Sequence, residues 1–249
     1  MLSLFPISYR LLAQNAGDAT AEFKRQVAAL SATRLNGAPE TEAQQEKPLA
    51  FVDSMAASIL GASATPDLTA VNQRLAGLAS QSPPVGENYR LVKLGGTPAV
   101  YAMVVNFGLS GPAAVRIYSA TGGRFALAAR IDRYSQKDFF DSDVELVPVS
   151  ESEPVFVTVS GRTDDLSTGI FSAWWFDGHR LASLWTSDLL QQSNYEADAN
   201  GFHLTYCGQV DEDHPSQCLK MTSDIYRFQT GEWKRVETAD LPPSKASSK

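Results

Sequence analysis

The sequence predicts a mainly β protein in which three four-stranded antiparallel meanders follow a short α-helical N-terminal segment. Between residues 89 and 239 the hydrophobic period is two, in short runs rich in Val, Ile, Tyr, Phe, Trp and Thr, which is typical of strands. One hairpin pattern, an aromatic-rich run before a glycine turn, occurs three times. Its turn glycines, Gly123, Gly178 and Gly231, stand 55 and 53 residues apart. This spacing predicts three copies of one unit.

Residues 1–84 are predicted to form an N-terminal segment with about three short helices. Apolar residues recur there at helical spacing, and we interpret these stripes as core rather than as docking faces. The Pro-Pro-Val-Gly stretch at 83–86 is the predicted boundary with the next domain. Capping residues and N-terminal prolines set the expected helix starts, which are Asp18 or Thr20, Pro48 and Thr65.

Residues 85–240 are predicted to form the β-repeat domain, and residues 241–249 a disordered tail. Shifting the sequence by 55 positions pairs Leu91 with Leu146 and Val104 with Val159. Four-stranded repeats of this length are typical of β-propeller blades. Three copies are fewer than the roughly four to eight blades that close a ring, so an open blade stack, a distorted barrel or sandwich, and part of an assembled ring are the alternatives. The predicted strands span 89–94, 99–107, 113–120, 124–132, 144–149, 155–161, 169–176, 179–187, 194–199, 201–207, 217–228 and 232–238.

The stretch Phe140-Asp141-Ser142-Asp143-Val144-Glu145-Leu146-Val147-Pro148-Val149 places an acidic loop directly before a strand. This order resembles the integrin-type FG-GAP/VCBS propeller repeats. The resemblance covers about ten residues and lacks the Asp-x-Asp-Gly-Asp core of those repeats. It implies a propeller-like fold.

Composition excludes two classes of function. The net charge of −7 and the pI near 5.0 argue against a nucleic-acid groove, because phosphate binding needs clustered Lys and Arg. No run approaches the roughly 18 apolar residues of a membrane span, so we do not expect an integral membrane protein.

The N-terminus allows two interpretations. Its apolar start and Leu11-Leu12-Ala13-Gln14 resemble a cleaved leader, but Pro6 and Arg10 interrupt the apolar run and no Lys or Arg precedes it. An exported protein with a mis-called start codon has this pattern, and so does a cytosolic protein with a frayed end. We favour a periplasmic or secreted location.

The long loops of the meanders are expected at one end of the sheets, and they are acidic. Such a face predicts either Ca²⁺ binding through several carboxylates or attraction of a basic partner. Alternatively, these are solvated loop residues, since their spacing matches no defined calcium loop. The candidate metal ligands are Asp138, Asp141 and Asp143, and the candidate ligand-binding carboxylates are Asp164 and Asp165. Glu145, Asp188, Asp211, Glu212 and Asp213 belong to the same predicted face.

Cys207 and Cys218 end one predicted strand and begin the next, on either side of an acidic insertion. Hairpin pairing would bring their Cβ atoms within disulfide range, which would indicate an oxidising compartment. Two free buried thiols and a metal site with His214 are the alternatives, although the spacing fits no standard zinc pattern.

Aromatic residues suggest a second binding surface. Trp174 and Trp175, with His179 and Trp185, are candidates for a shelf that binds a carbohydrate or a peptide. Strand alternation places Trp174 and Trp175 on opposite faces of their sheet. The alternative is that these rings pack between blades.

No HExxH, GxSxG or phosphate-loop motif occurs in the chain. We therefore expect a non-enzymatic binding or interaction module of the cell envelope or extracellular space, which uses the acidic long-loop face to bind a protein or a glycan. No cofactor is predicted apart from Ca²⁺. The alternatives are a glycan-acting hydrolase that uses loop carboxylates such as Asp141 and Asp143, and a structural subunit that pairs through its sheet edges.

Overall fold

The computed structural model of the chain describes residues 7–35, 42–63, 65–79, 87–107, 113–133, 144–160, 168–198, 201–214, 217–229 and 231–242. It is mainly β, with three helices and three four-stranded antiparallel sheets in these ranges. The helices are α1 (Ile7–Leu35), α2 (Glu42–Ala62) and α3 (Leu68–Ala76). The strands are β1 (Glu87–Gly95), β2 (Val100–Phe107), β3 (Ala113–Thr121), β4 (Arg124–Arg133), β5 (Val144–Pro148), β6 (Val155–Ser160), β7 (Ile170–Phe176), β8 (Leu181–Thr186), β9 (Asn194–Asp198), β10 (Gly201–Val210), β11 (Cys218–Gln229) and β12 (Glu232–Leu241).

The predicted meanders are confirmed as three sheets: sheet 1 (β1–β4), sheet 2 (β5–β8) and sheet 3 (β9–β12). Within each sheet every strand pairs with its neighbour along the chain. Tight turns join the third and fourth strands, and their glycines Gly123, Gly178 and Gly231 have φ of +79°, +97° and +80°. Residues with a side chain rarely adopt a positive φ, which explains why glycine recurs at these three positions.

The helix starts differ from the prediction. α1 begins at Ile7, about three turns before the expected cap, because no Pro or Gly run interrupts residues 7–17. α2 begins at Glu42 and contains Pro48 in its interior, so the helix tolerates the loss of one backbone N–H donor. α3 is capped by Asp67 rather than Thr65, since the Asp67 carboxylate accepts from the Thr69 and Ala70 amides at 3.0 and 3.2 Å.

The elements stack in the order helices, sheet 1, sheet 2, sheet 3. One face of sheet 1 packs on the helices through residues such as Phe23, Tyr89 and Phe107. Its other face packs on sheet 2, and the second face of sheet 2 packs on sheet 3. Strand alternation leaves Glu196 and Arg227 on the far face of sheet 3, so a polar surface ends the stack there.

An ion pair fastens α2 to sheet 1. Arg116 of β3 is 2% exposed, and its guanidinium donates to the Asp53 carboxylate at 2.8 and 3.2 Å. The Tyr118 hydroxyl donates to the same carboxylate at 2.6 Å. A buried guanidinium requires such a partner, so Asp53 couples the position of α2 to β3.

Helix α3 covers the free edge of β1. The Asn72 side chain donates to the Leu91 carbonyl at 3.0 Å and accepts from the Leu91 amide at 2.8 Å, as a neighbouring strand would. This contact protects an otherwise open sheet edge. No helix in the described ranges is long and apolar enough to span a membrane.

Candidate functional site

The first strands of the three sheets converge on one cleft at the long-loop end. This inner cleft has a volume of about 330 Å³. Residues of β1, β2, β5, β6, β7 and β9 line it, together with the residues directly before β7 and β9. The polar residues that define it are Asn88, Arg90, Asn106, Glu145, Thr168 and Tyr195.

Side-chain hydrogen bonds hold sheets 1 and 2 together at the floor of the inner cleft. Asn106 is 4% exposed, donates to the Val144 carbonyl at 3.1 Å and accepts from the Val144 amide at 2.9 Å. Two residues further along β5, the Leu146 carbonyl accepts from Arg90 Nη2 at 3.1 Å. The free edge of β5 is therefore fixed by two side chains of sheet 1.

The opposite wall of the inner cleft joins sheets 2 and 3. Glu145 alternates with Val144 and Leu146, so its side chain points toward sheet 3, where the Tyr195 hydroxyl donates to its carboxylate. The Tyr195 ring stacks on Phe202 at a centroid distance of 5.6 Å, which fixes its orientation. Arg90, Glu145 and Tyr195 also line a second, more open cavity beside α3, so they form the boundary between the two spaces.

A smaller cavity, the outer pocket, lies between β8 and sheet 3. It has a volume of about 220 Å³, and its walls include Trp185, Asp188, Asp224 and Arg235. Asp224 is 1% exposed. Its carboxylate accepts from the hydroxyls of Thr238, Tyr206 and Tyr226 at 2.7, 3.1 and 3.3 Å, and Arg235 lies 3.4 Å away.

This network determines what the outer pocket can do chemically. Burial, and then the charge of Asp224, raise the pKa of Tyr206 and of Tyr226, so both phenols remain hydrogen-bond donors. Asp224 is thus a structural anion with its oxygens occupied. Among the described residues, Asp188 alone remains as an exposed carboxylate in this pocket, and a glycosidase needs two carboxyl groups with separate roles.

The predicted aromatic residues lie away from the inner cleft, near the short-turn end. Trp174 is half-buried between sheets 1 and 2, and its indole N–H donates to Thr158 at 2.9 Å. Trp175 packs between sheets 2 and 3, with its ring 5.7 Å from Phe228. His179 is exposed in the β7–β8 turn. These positions agree with packing between sheets, and the assignment of the three residues to ligand binding stays a prediction.

The predicted carboxylates are divided between described and undescribed residues. Asp138, Asp141, Asp143, Asp164 and Asp165 lie outside the described ranges. Among described residues, no three His, Cys, Asp or Glu side chains are grouped closely enough to hold a metal ion. The other acids assigned from the sequence to the long-loop face are described, and they are Glu145, Asp188, Asp211, Glu212 and Asp213.

The predicted disulfide is confirmed. Cys207 and Cys218 are bonded with a Cα–Cα distance of 5.7 Å, so the free-thiol and metal-site alternatives are wrong. The bond joins β10 to β11 at the base of the acidic insertion, because Cys218 pairs with Val210 at the end of the ladder.

Sequence reasoning did not identify Asn88, Arg90, Asn106 or Tyr195. Two residues signal the cleft in the sequence. Asn106 is a polar residue in β2, which is otherwise entirely apolar and buried. Arg90 is the second, because it shares the apolar face of β1 with Val92 and Leu94. Buried or half-buried polar residues in such runs need partners, and therefore mark contacts made after folding.

No protein-family model, curated protein or solved structure matches this chain. Function is therefore inferred from the geometry of the chain itself.

Proposed function

We propose that the protein is a non-enzymatic binding module that takes its ligand at the long-loop end, in the inner cleft. One observation carries this proposal: the first strands of all three sheets line a single polar cleft of about 330 Å³. That volume lies at the lower end of the range for small-molecule sites. Arg90, Asn106 and the Glu145–Tyr195 pair stand on strands, where hydrogen bonds hold their side chains, as a selective site requires.

The acidic long-loop face supplies the surroundings of this site. Glu145 lies in the cleft, Asp188 lies on the loop between sheets 2 and 3, and Asp211, Glu212 and Asp213 follow β10. In a chain of net charge −7, these residues favour ligands or partners that present a basic group to the face. A protein or a glycan that carries an amine has that chemistry.

We also propose that the three sheets are the blades of an open, propeller-like stack. Their first strands face one cleft, as the inner strands of blades face an axis. The helices on sheet 1 and the polar far face of sheet 3 are features that end a stack. The charged residues of the outer strands, including Arg130 on β4 and Lys234 on β12, disfavour the alternative of a subunit that pairs through sheet edges.

A location in the cell envelope or outside the cell is part of the proposal. The Cys207–Cys218 disulfide supports it, because such bonds persist in oxidising compartments. The hydrolase alternative has less support. Among the described residues, the inner cleft and the outer pocket each offer one carboxylate that is not enclosed, Glu145 in the cleft and Asp188 in the outer pocket.

A cleft-filling variant tests the proposed function. Asn88 is exposed at the mouth of the inner cleft, and Asn88→Trp would fill the space without replacing a buried residue. Thr121→Trp adds the same ring at the short-turn end and serves as the matched control, and His179→Ala tests the predicted aromatic shelf. Ligand-detected NMR would compare the variants against amino acids, short peptides, and neutral and acidic oligosaccharides.

We expect compounds that bind the wild type to lose their signal with Asn88→Trp and to keep it with Thr121→Trp and His179→Ala. Retention of every signal by Asn88→Trp would place the site elsewhere. Loss caused by His179→Ala would favour the aromatic shelf instead. Turnover of an oligosaccharide by the wild type would favour the hydrolase.

A further inference from the structure

Two opposite charges line the inner cleft without pairing with each other. Arg90 enters from sheet 1, on the face that packs against sheet 2, and Glu145 stands on β5 and points toward sheet 3. Among the described residues, no carboxylate lies within 4.0 Å of the Arg90 guanidinium, and no Lys, Arg or His nitrogen lies that close to Glu145. The free edge of β5 lies between the two side chains.

Neutral groups hold each charge in place. The Leu146 carbonyl accepts one hydrogen bond from Arg90 Nη2 at 3.1 Å, and Arg90 Nε is buried with no hydrogen-bond partner. The Tyr195 hydroxyl donates to Glu145. A carbonyl and a phenol orient these ions but do not neutralise them.

This arrangement is informative because a half-buried guanidinium normally pairs with a carboxylate. A cleft that keeps a cation and an anion apart is electrostatically complementary to a molecule that carries both charges. Asn88 and Asn194 are exposed at the rim of the inner cleft. Their side-chain amides make no hydrogen bond to another described residue, so they can form hydrogen bonds with peptide-like groups of a ligand. A volume of about 330 Å³ suits a compound no larger than a few residues.

We propose that the inner cleft binds a small zwitterion, a free amino acid or a dipeptide, with its carboxylate on Arg90 and its ammonium group on Glu145. The inference rests on the proposed function and names the ligand class of the same site. The Arg90 guanidinium has donors beyond its one bond to the Leu146 carbonyl, and Glu145 retains acceptor capacity beyond its bond from Tyr195.

Dialanine and its blocked forms test the proposal by isothermal titration calorimetry at neutral pH. The probes are L-alanine, dialanine, dialanine amide, N-acetyl-dialanine and N-acetyl-dialanine amide. We expect dialanine or L-alanine to bind, and each blocked form to bind at least about tenfold more weakly, the usual loss for one hydrogen bond to a charged group. The two free compounds distinguish a peptide ligand from an amino acid.

Variants assign the two ends of the ligand. Arg90→Gln should remove the preference for dialanine over dialanine amide and keep the preference over N-acetyl-dialanine, and Glu145→Gln should do the reverse. A purely structural role of Arg90 as a cover for the β5 edge would weaken all probes equally. If Arg90→Gln does not fold, Glu145→Gln alone still tests the assignment, because Glu145 is exposed.

Failure of this inference differs from failure of the proposed function. Suppose that N-acetyl-dialanine amide or a neutral oligosaccharide binds the wild type but not Asn88→Trp, and that dialanine does not bind. The inner cleft is then a ligand site but not a zwitterion site. Equal affinity for dialanine and its blocked forms also overturns the inference. If no probe of any class binds, both proposals are wrong.

Discussion

Replacing Asp53 by alanine tests how the helices are held on sheet 1. The carboxylate of Asp53 accepts from Arg116 at 2.8 and 3.2 Å and from Tyr118 at 2.6 Å. Its removal leaves the Arg116 side chain, which is 2% exposed, without its main counter-charge. Breaking a fully buried ion pair costs about 3–5 kcal/mol of unfolding free energy.

Two features reduce that value here. The Asp53 side chain is 22% exposed, and a Glu46 oxygen remains 3.9 Å from the guanidinium. We therefore expect Asp53→Ala to lower the free energy of unfolding by about 2–4 kcal/mol. Urea denaturation followed by circular dichroism measures the change, with Asp53→Asn as an intermediate case because the amide keeps the hydrogen-bond acceptor.

Glu22→Ala is the control for this experiment. Glu22 pairs with Arg25 on α1, and the two side chains are 51% and 73% exposed, so its loss should leave the urea midpoint close to that of the wild type. If Asp53→Ala has the same urea midpoint as Glu22→Ala, Arg116 does not depend on Asp53 and the account of helix docking is refuted.

Three further predictions concern stability. Reducing the Cys207–Cys218 disulfide, whose cysteines are 11 residues apart, should lower the free energy of unfolding by about 3 kcal/mol in urea titrations with and without reductant; an unchanged midpoint would refute it. Gly95→Ala should lower the free energy of unfolding by about 2 kcal/mol or more, because φ is +101° and a Cβ would lie 2.8 Å from two carbonyl oxygens. Gly122 has a φ of +60° and open space around it, so Gly122→Ala should lower the free energy of unfolding by about 1 kcal/mol. Equal shifts in melting temperature for the two variants would contradict this. Stability should fall as the pH rises above about 10, because burial raises the pKa values of Tyr89, Tyr118 and Tyr226 in the folded protein. The unfolded chain then releases protons that the folded chain keeps, so the free energy of unfolding decreases. Urea midpoints that stay constant between about pH 9 and 11 would disprove this prediction.

The strands could be predicted because their signals are local. Alternation and turn glycines belong to each hairpin, and every predicted strand corresponds to an observed one with ends that differ by a few residues. The helix starts were less predictable. Pro48 signals a first helical position in isolation, but the helix-forming residues Glu42–Lys47 extend α2 past it. Asp67 rather than Thr65 is the cap, because the Asp67 carboxylate accepts from the Thr69 and Ala70 amides at the start of α3.

The candidate site could not be predicted in the same way. Arg90, Glu145 and Tyr195 stand on three different sheets, and only the stacking order brings them to one cleft. Acidic loops and tryptophans are visible in a sequence, whereas the convergence of first strands is a property of the packed sheets. The disulfide was predictable because both cysteines flank a single hairpin connection.

Chemical-shift mapping is the decisive test of whether the inner cleft is the ligand site. Dialanine would be titrated into the isotope-labelled protein, and the perturbed backbone amides would be located on the sheets. We expect the largest shifts to cluster at Asn88, Arg90, Glu145 and Tyr195, while the amides of Trp174–His179 stay unchanged. Shifts confined to the Trp174–His179 segment would contradict it, whereas no shifts with excess dialanine would overturn the zwitterion assignment alone.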